Sequence, residues 1–286
     1  MSKIGKYTKV LVAVLIVSVL IGLGTHIFKL QATVQALKVQ NEELLNENAA
    51  LTIDLELARQ EAQLNDKNSS QPKQPKFAYL TFDDGPSANT EQILNILREY
   101  GVKATFFVIG SESEYSKHLY RRIVEEGHAI GLHSYNHVYS DIYKSEEAFM
   151  ESMYKLQDLI ETTTGVRPDI LRFPGGSNTS FITRYGGADL AASLAARIHR
   201  EGMQYFDWNV SSLDATKPVV DTQVIVDATL RGAQNRNQAV VLMHDAPIKK
   251  TTVEALPAII EGLQAQGFTF EVLKRDTPPV HFRLPQ

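Results

Sequence analysis

The stretch Phe77-Ala78-Tyr79-Leu80-Thr81-Phe82-Asp83-Asp84-Gly85-Pro86 decides how this chain is read. Phe77–Phe82 is an apolar run of strand length that breaks into a polar turn of two carboxylates, a glycine and a proline. The same pattern recurs downstream, at Thr105–Ile109, Ala129–His133, Ile170–Phe173, Gln204–Val210, Ala239–His244 and Phe268–Leu273. Amphipathic helical patterns lie between most of these runs: Thr90–Tyr100, Tyr115–Glu126, Glu146–Thr163, Asp189–Glu201, Thr222–Gly232 and Val253–Gln266. Gly101, Gly127, Gly165, Gly202 and Gly267 stand where helices would close. About seven strands alternating with helices predict an α/β domain with a parallel sheet, either barrel-like or open and doubly wound. Both arrangements bind ligands at the carboxyl ends of the strands.

Toward the N-terminus the chain changes character three times. Val10 to Gly24 carries no charge, follows Lys3, Lys6 and Lys9, and is extended by Ile27 and Phe28. As a helix, Val10 to Phe28 would rise about 28 Å, close to the hydrocarbon thickness of a bilayer. Residues 1–28 are therefore expected to be a Lys-rich cytoplasmic end and a single-pass transmembrane anchor. The rival is a cleaved signal peptide, for which Gly22-Leu23-Gly24 offers a small-x-small site without a following Ala-x-Ala. Either way the rest of the chain is expected outside the cytoplasm, at the cell membrane with an extracellular folded domain. Residues 29–64 then repeat in sevens, with Leu30, Leu37, Leu44, Leu51 and Ala58 at d and Val34, Asn41, Asn48, Leu55 and Ala62 at a. This predicts a coiled-coil stalk, with a single solvated helix as the alternative. Buried Asn pairs at a favour a parallel homodimer. Residues 65–75 lack apolar side chains and hold Pro72 and Pro75, so they read as a linker. A folded domain is expected over 76–275 and a tail over 276–286.

Composition narrows the function. In 286 residues, 43% hydrophobic content supports a sizeable core and excludes a wholly disordered chain. A net charge of -4 with no basic block argues against a nucleic-acid partner. The absence of cysteine excludes a disulfide scaffold, a thiolate metal site and a cysteine nucleophile.

The strand ends hold the chemistry. The first runs into Asp83-Asp84, the third into His133-Ser134-Tyr135-Asn136-His137, and the fourth into Arg172-Phe173-Pro174-Gly175-Gly176. The fifth leads through Trp208 to Asp214, and the sixth ends in Leu242-Met243-His244-Asp245. Singly, each is an ordinary turn, capping residue or core side chain. Together they place polar groups at five strand ends where an α/β fold builds its site. One carboxylate and two imidazoles suit a divalent transition metal, zinc by default, with a position left open for water. A second carboxylate can take that water's proton, and a histidine on another strand end can protonate a leaving group. No Gly-x-Ser-x-Gly is present to suggest a serine nucleophile.

In this order, Thr81–Pro86, His133–His137, Arg172–Gly175, Trp208–Asp214 and Leu242–His244 resemble the motif set of the polysaccharide deacetylases, carbohydrate esterase family four, and in particular its peptidoglycan N-acetylglucosamine deacetylases. The resemblance spans Lys76 to Leu273 and implies a distorted, incomplete (β/α) barrel. It implies that Asp83 is the general base and that Asp84, His133 and His137 hold the metal. Arg172 would hold the base, and His244 would be the general acid. On the substrate side it implies Leu242 lining an acetyl pocket, the Gly175 N–H as oxyanion donor, and Trp208. Two departures stand out. Many members carry an aromatic residue at the Gly175 position, so the groove is expected to be wider here. The tryptophan that usually follows the fourth-motif aspartate is Ala215, and Asp207-Trp208 competes with Asp214 for alignment. Asp214, beyond the strand end, is expected to be the partner of His244. The implied activity is metal-dependent removal of acetyl groups from N-acetylated sugars of an extracellular polysaccharide. An anchor with a stalk points to peptidoglycan, ahead of poly-N-acetylglucosamine, chitin-like oligomers or O-acetylated xylan. A reading of another class is a non-catalytic carbohydrate-binding scaffold.

Overall fold

The computed structural model describes residues 74–285. The expected anchor, stalk and pairing of two chains, and nearly all of the linker, lie outside the described residues. Among the described residues no helix is long and apolar enough to cross a membrane. The strands are β1 (Lys76–Asp83), β2 (Thr105–Val108), β3 (Ala129–Leu132), β4 (Ile170–Leu171), β5 (Gln204–Tyr205), β6 (Val210–Ser211), β7 (Gln238–His244) and β8 (Phe268–Phe270). The helices are α1 (Ala88–Glu99), α2 (Glu114–Glu125), α3 (Tyr139–Ile142), α4 (Glu146–Thr164), α5 (Ser180–Gly186), α6 (Leu190–Arg200), α7 (Thr222–Ala233) and α8 (Lys250–Ala265). Each expected strand run contains a strand. Gln204–Val210, read as one, holds two short ones. The five glycines expected to close helices all adopt left-handed backbone, as at Gly165 (φ 76°).

All pairings are parallel, in the order β5-β4-β3-β2-β1-β7-β6, with β8 on the N-terminal half of β1. This order forces curvature. Six inter-strand gaps would separate the edges of a flat sheet by about 29 Å. Yet Tyr205, on one edge, and Val210, on the other, are joined by a segment that reaches at most about 17 Å. The sheet therefore curls into an incomplete barrel whose seam is crossed by Phe206–Asn209. Residues 278–282 run along that seam, where the Asp207 amide donates to the Val280 carbonyl at 2.9 Å.

Both faces of the central strands are buried, which is why they read as nearly continuous apolar runs. Ala78, Leu80 and Phe82 face outward and are fully buried. The inward positions carry Tyr79, which packs with Phe107, Ile170, Phe206, Val240 and Leu273 in the barrel's interior. Gly131 on β3 makes room for this cluster, because a Cβ there would lie 2.6 Å from the Phe107 ring. Along the same inward row the side chains turn polar toward the strand ends, from Tyr79 through Thr81 to Asp83.

Candidate active site

The period-two geometry of β1 sends Asp83 inward, in register with His244 on β7. Asp84 then takes a left-handed backbone (φ 75°) that carries its carboxylate toward the end of β3. There Ser134 and His137 are also left-handed (φ 67° and 53°), and the Ser134 hydroxyl accepts the His137 amide at 3.1 Å. This tight turn brings the two imidazoles together, with ring centroids 5.1 Å apart. Asp84 Oδ1 lies 3.6 Å from His133 Nε2 and 3.3 Å from His137 Nε2. The donor atoms of the three residues all fall within 4.8 Å of one another.

These residues fit a metal ion. Asp84 Oδ1 is buried and accepts no hydrogen bond within the described residues. His133 Nδ1 donates to the Arg172 carbonyl at 3.0 Å, which leaves the Nε2 lone pair facing Asp84. Burial, then the neighbouring His137, pulls the His133 pKa down to about 3, so this imidazole is neutral as a ligand must be.

Asp83 is held from the side. Fully buried Arg172 donates through Nη1 to Asp83 Oδ1 at 2.9 Å and to the Thr81 hydroxyl at 2.6 Å. Its Nε and Nη2 are taken up by the carbonyls of Phe206 (3.0 Å) and Asp207 (3.1 Å). The guanidinium lies 4.4 Å over the Phe107 ring. All three guanidinium nitrogens are thus engaged, and Asp83 Oδ2 is left 3.8 Å from His133 Nε2. Burial raises the Asp83 pKa, against the opposing pull of Arg172 and His244.

At the end of β7, Asp214 clamps His244. Its Oδ1 accepts from His244 Nδ1 at 2.8 Å, and its Oδ2 accepts from the His244 amide at 2.7 Å and the Thr252 hydroxyl at 2.9 Å. Burial works to lower the His244 pKa, but the charge and hydrogen bond of Asp214 overcome it and push the value up to about 10. Leu242, buried, lies on the same face of β7 two residues earlier. Asp207 goes elsewhere, with its carboxylate on Ser177 and Phe282.

Gly175 is exposed and left-handed (φ 78°), and a Cβ on it would lie 3.2 Å from both the Tyr139 and the Thr179 hydroxyl oxygens. The space expected to widen here is therefore bordered by Tyr139. Trp208 sits in the seam, edge-on to Phe282 with centroids 4.7 Å apart and 5.8 Å from the Arg172 guanidinium. Three further residues belong to the site. Thr81 joins Arg172 to the Val241 carbonyl. Thr252 steadies Asp214 from α8, and nothing in the helical pattern marks it. Asp245 is buried against Gly85 and takes the Thr90 hydroxyl, and burial, opposed by that bond, leaves its pKa at about 7. Its place directly after His244 is the only signal the sequence offers for it.

A family model described as Polysaccharide deacetylase matches residues 70–190. A peptidoglycan-N-acetylglucosamine deacetylase of Bacillus cereus is 34% identical over 220 residues, covering 73% of this chain and 74% of that protein. The chain belongs to the polysaccharide deacetylase family. A chitooligosaccharide deacetylase of Rhizobium leguminosarum is 32% identical over 208 residues, covering 68% of this chain and 89% of the relative. Among solved structures, the catalytic domain of a peptidoglycan N-acetylglucosamine deacetylase from Eubacterium rectale superposes with a TM-score of 0.71. It shares 38% identity and covers 76% of this chain and 96% of that one. This protein is thus a polysaccharide deacetylase, and its incomplete parallel barrel is the fold that the sequence resemblance implied.

Proposed function

We propose that this polysaccharide deacetylase removes the acetyl group from N-acetylglucosamine units of peptidoglycan, by metal-dependent hydrolysis. The observation that carries the reading is the in-register placement of Asp83 and His244 on neighbouring strands, each fixed by its own charged partner, beside three converging ligand atoms. A divalent ion held by Asp84, His133 and His137, for which zinc is the best chemical match, would supply Lewis acidity and a water of lowered pKa.

The chain's own residues do the rest. Asp83 takes the proton of the attacking water through the oxygen that Arg172 leaves uncovered. The Gly175 amide donates to the oxygen of the acetyl carbonyl as negative charge develops there. Protonated His244 delivers a proton to the sugar nitrogen as the C–N bond breaks, and Asp214 stabilises its charged form. Water's oxygen ends on the acetyl carbon, so the products are acetate and a glucosamine unit. Leu242 supplies an apolar wall for the acetyl methyl group.

The choice of polymer is supported by the Bacillus cereus and Eubacterium rectale proteins, whose names give that substrate. The charge-free run and the heptads of residues 10–64 support a membrane anchor, a paired stalk and an extracellular catalytic domain. The test digests enzyme-treated peptidoglycan and weighs its fragments. Loss of an acetyl group from the glucosamine of a muropeptide is expected, and loss only from chitin-like oligomers, poly-N-acetylglucosamine or acetylated xylan would overturn the polymer assignment. Chelation should abolish acetate release. His133→Ala and His137→Ala should lose metal and activity together, whereas Asp83→Asn should keep metal and lose turnover by about 100-fold or more. Metal loss in Asp83→Asn would sink the division of roles.

A further inference from the structure

Asp207 is fully buried and takes no part in the chemistry described above. Its carboxylate accepts three hydrogen bonds. The Ser177 amide donates to Oδ1 at 2.8 Å, and the Ser177 hydroxyl and the Phe282 amide donate to Oδ2 at 2.6 and 2.8 Å. Its own amide donates to the Val280 carbonyl at 2.9 Å, and its carbonyl accepts from Arg172 Nη2 at 3.1 Å. One residue thereby ties together three pieces of chain. The first is the Pro174–Ser177 turn, whose Gly175 and Gly176 are both left-handed (φ 78° and 87°). The second is the guanidinium that holds Asp83. The third is the C-terminal segment 278–282.

The C-terminal segment is built into the seam. The His281 ring stacks on Tyr205 at 3.8 Å, and Phe282 packs edge-on against Trp208. A Cβ on Gly176 would lie 3.1 Å from both Phe282 and Trp208, so the glycine turn is pressed against this aromatic pair. The turn is also held on its other side, where the Tyr143 hydroxyl donates to the Pro174 carbonyl at 2.8 Å. Two glycines in succession would otherwise leave the direction of the Gly175 amide poorly fixed. A donor aimed at a developing oxyanion works only when it is held in place beforehand.

We propose that Asp207 is a positioning residue, and that residues 278–282 are a strap which, through it, fixes the Gly175 amide for catalysis. This rests on the role given to Gly175 in the proposed function. The strap contributes to turnover without touching metal or sugar.

The test compares the full chain with Asp207→Asn, Phe282→Ala and a variant ending at Thr277, each loaded with metal and assayed for acetate release. In Asp207→Asn an amide nitrogen replaces an acceptor and faces a donor, so the turn loses its anchor. The expected result is a kcat lowered about tenfold or more, with KM, metal content and the positions of both limbs of the pH–rate profile unchanged. Phe282→Ala and the shortened chain should lower kcat in the same sense, and Asp207→Asn combined with Phe282→Ala should fall little below the worse single variant. If Asp207→Asn does not fold, the other two variants carry the test. Variants that melt earlier but turn over at the full-length rate would overturn the proposal by reducing the strap to a structural brace. Loss of metal would overturn it by placing the effect at the ligands. A full-length chain inactive on peptidoglycan but active on another N-acetylated oligomer would fault the polymer assignment alone, and the same comparison then applies on that oligomer.

Discussion

Asp207 and Asp214 are the same residue type, both buried, on either side of the short strand β6. Each carboxylate accepts three hydrogen bonds. Their pKa values nevertheless move in opposite directions. At Asp207 burial prevails over its neutral donors and the weaker pull of the Arg172 charge, and raises the value. At Asp214 burial also pushes upward, but the charge of His244, followed by its hydrogen bonds, turns the balance and lowers it. Burial and hydrogen-bond count do not therefore separate a carboxylate that holds backbone from one that holds a titratable side chain. What separates them is whether a titratable partner shares the site.

The largest expected consequence follows from that partner. The acid role proposed for His244 requires its protonated form, and Asp214 holds its pKa up, at about 10. Asp214→Asn removes the charge, so the His244 pKa should fall and the basic limb of the pH–rate profile should move to lower pH. The limiting rate should drop by roughly 100-fold, the range for losing an oriented acid. Asp207→Asn should leave the basic limb where it is. A shifted limb in Asp207→Asn and an unshifted one in Asp214→Asn would reverse the two roles.

A smaller effect should appear in stability. His244 binds its proton more tightly when folded, at about 10 against an ordinary 6.5. Its contribution is therefore fully present below about pH 6.5 and is lost as pH rises through about 10. Asp214 is lowered, so its contribution is present above the unfolded value near 4 and is lost as pH falls through the folded one. Asp207 is raised, so its contribution is present below about pH 4 and is lost as pH rises through its folded value. The melting temperature of the wild type should then decline from about pH 6.5 upward. Asp214→Asn should flatten the decline that centres on His244, whereas Asp207→Asn should lower the curve and remove only the loss that Asp207's own titration adds above about pH 4. Parallel curves for the wild type and Asp214→Asn would break the contrast.

Much of this was legible in the sequence. The central strands are buried on both faces, so Phe77–Phe82 and Ala239–His244 announce themselves as apolar runs. Asp84, His133 and His137 are legible because their side chains suit few other tasks together at strand ends. Other features carry no such signature. Phe206-Asp207-Trp208-Asn209 looks like strand interior, and only the closing of the sheet makes it a seam between β5 and β6. Helices α3 and α5, of four and seven residues, are too short to display a helical period. Thr81 and Thr252 are unremarkable where they stand, and they matter because Arg172 and Asp214 arrive from distant parts of the chain. Residues 278–282 read as a tail because their partners lie some seventy residues upstream, as in the Phe282–Asp207 bond with a separation of 75.

The mildest separation of the two aspartates uses one hydroxyl on each. Thr252→Val deletes the side-chain donor to Asp214 Oδ2, and Ser177→Ala deletes the side-chain donor to Asp207 Oδ2. Both hydroxyls are buried and both substitutions nearly conserve volume, so each should destabilise the fold by about 1 kcal/mol, the net worth of one such bond. Equal cost in stability makes the kinetic difference informative. Without Thr252, Asp214 keeps both bonds to His244 but loses one stabilising donor, so its own pKa should rise. The imidazole stays clamped by Oδ1, and the rate should fall only a few-fold, with a small upward shift of the basic limb because a less stabilised carboxylate favours the protonated imidazole more strongly. Without its hydroxyl, Ser177 still donates its amide to Asp207 Oδ1, so the Gly175 turn stays anchored and the rate should change less than twofold, with no movement of either limb. Paired thermal melts and pH–rate profiles decide the matter. A basic limb displaced equally in both variants would mean that the two carboxylates act on His244 as one network, and the distinction between them would fail.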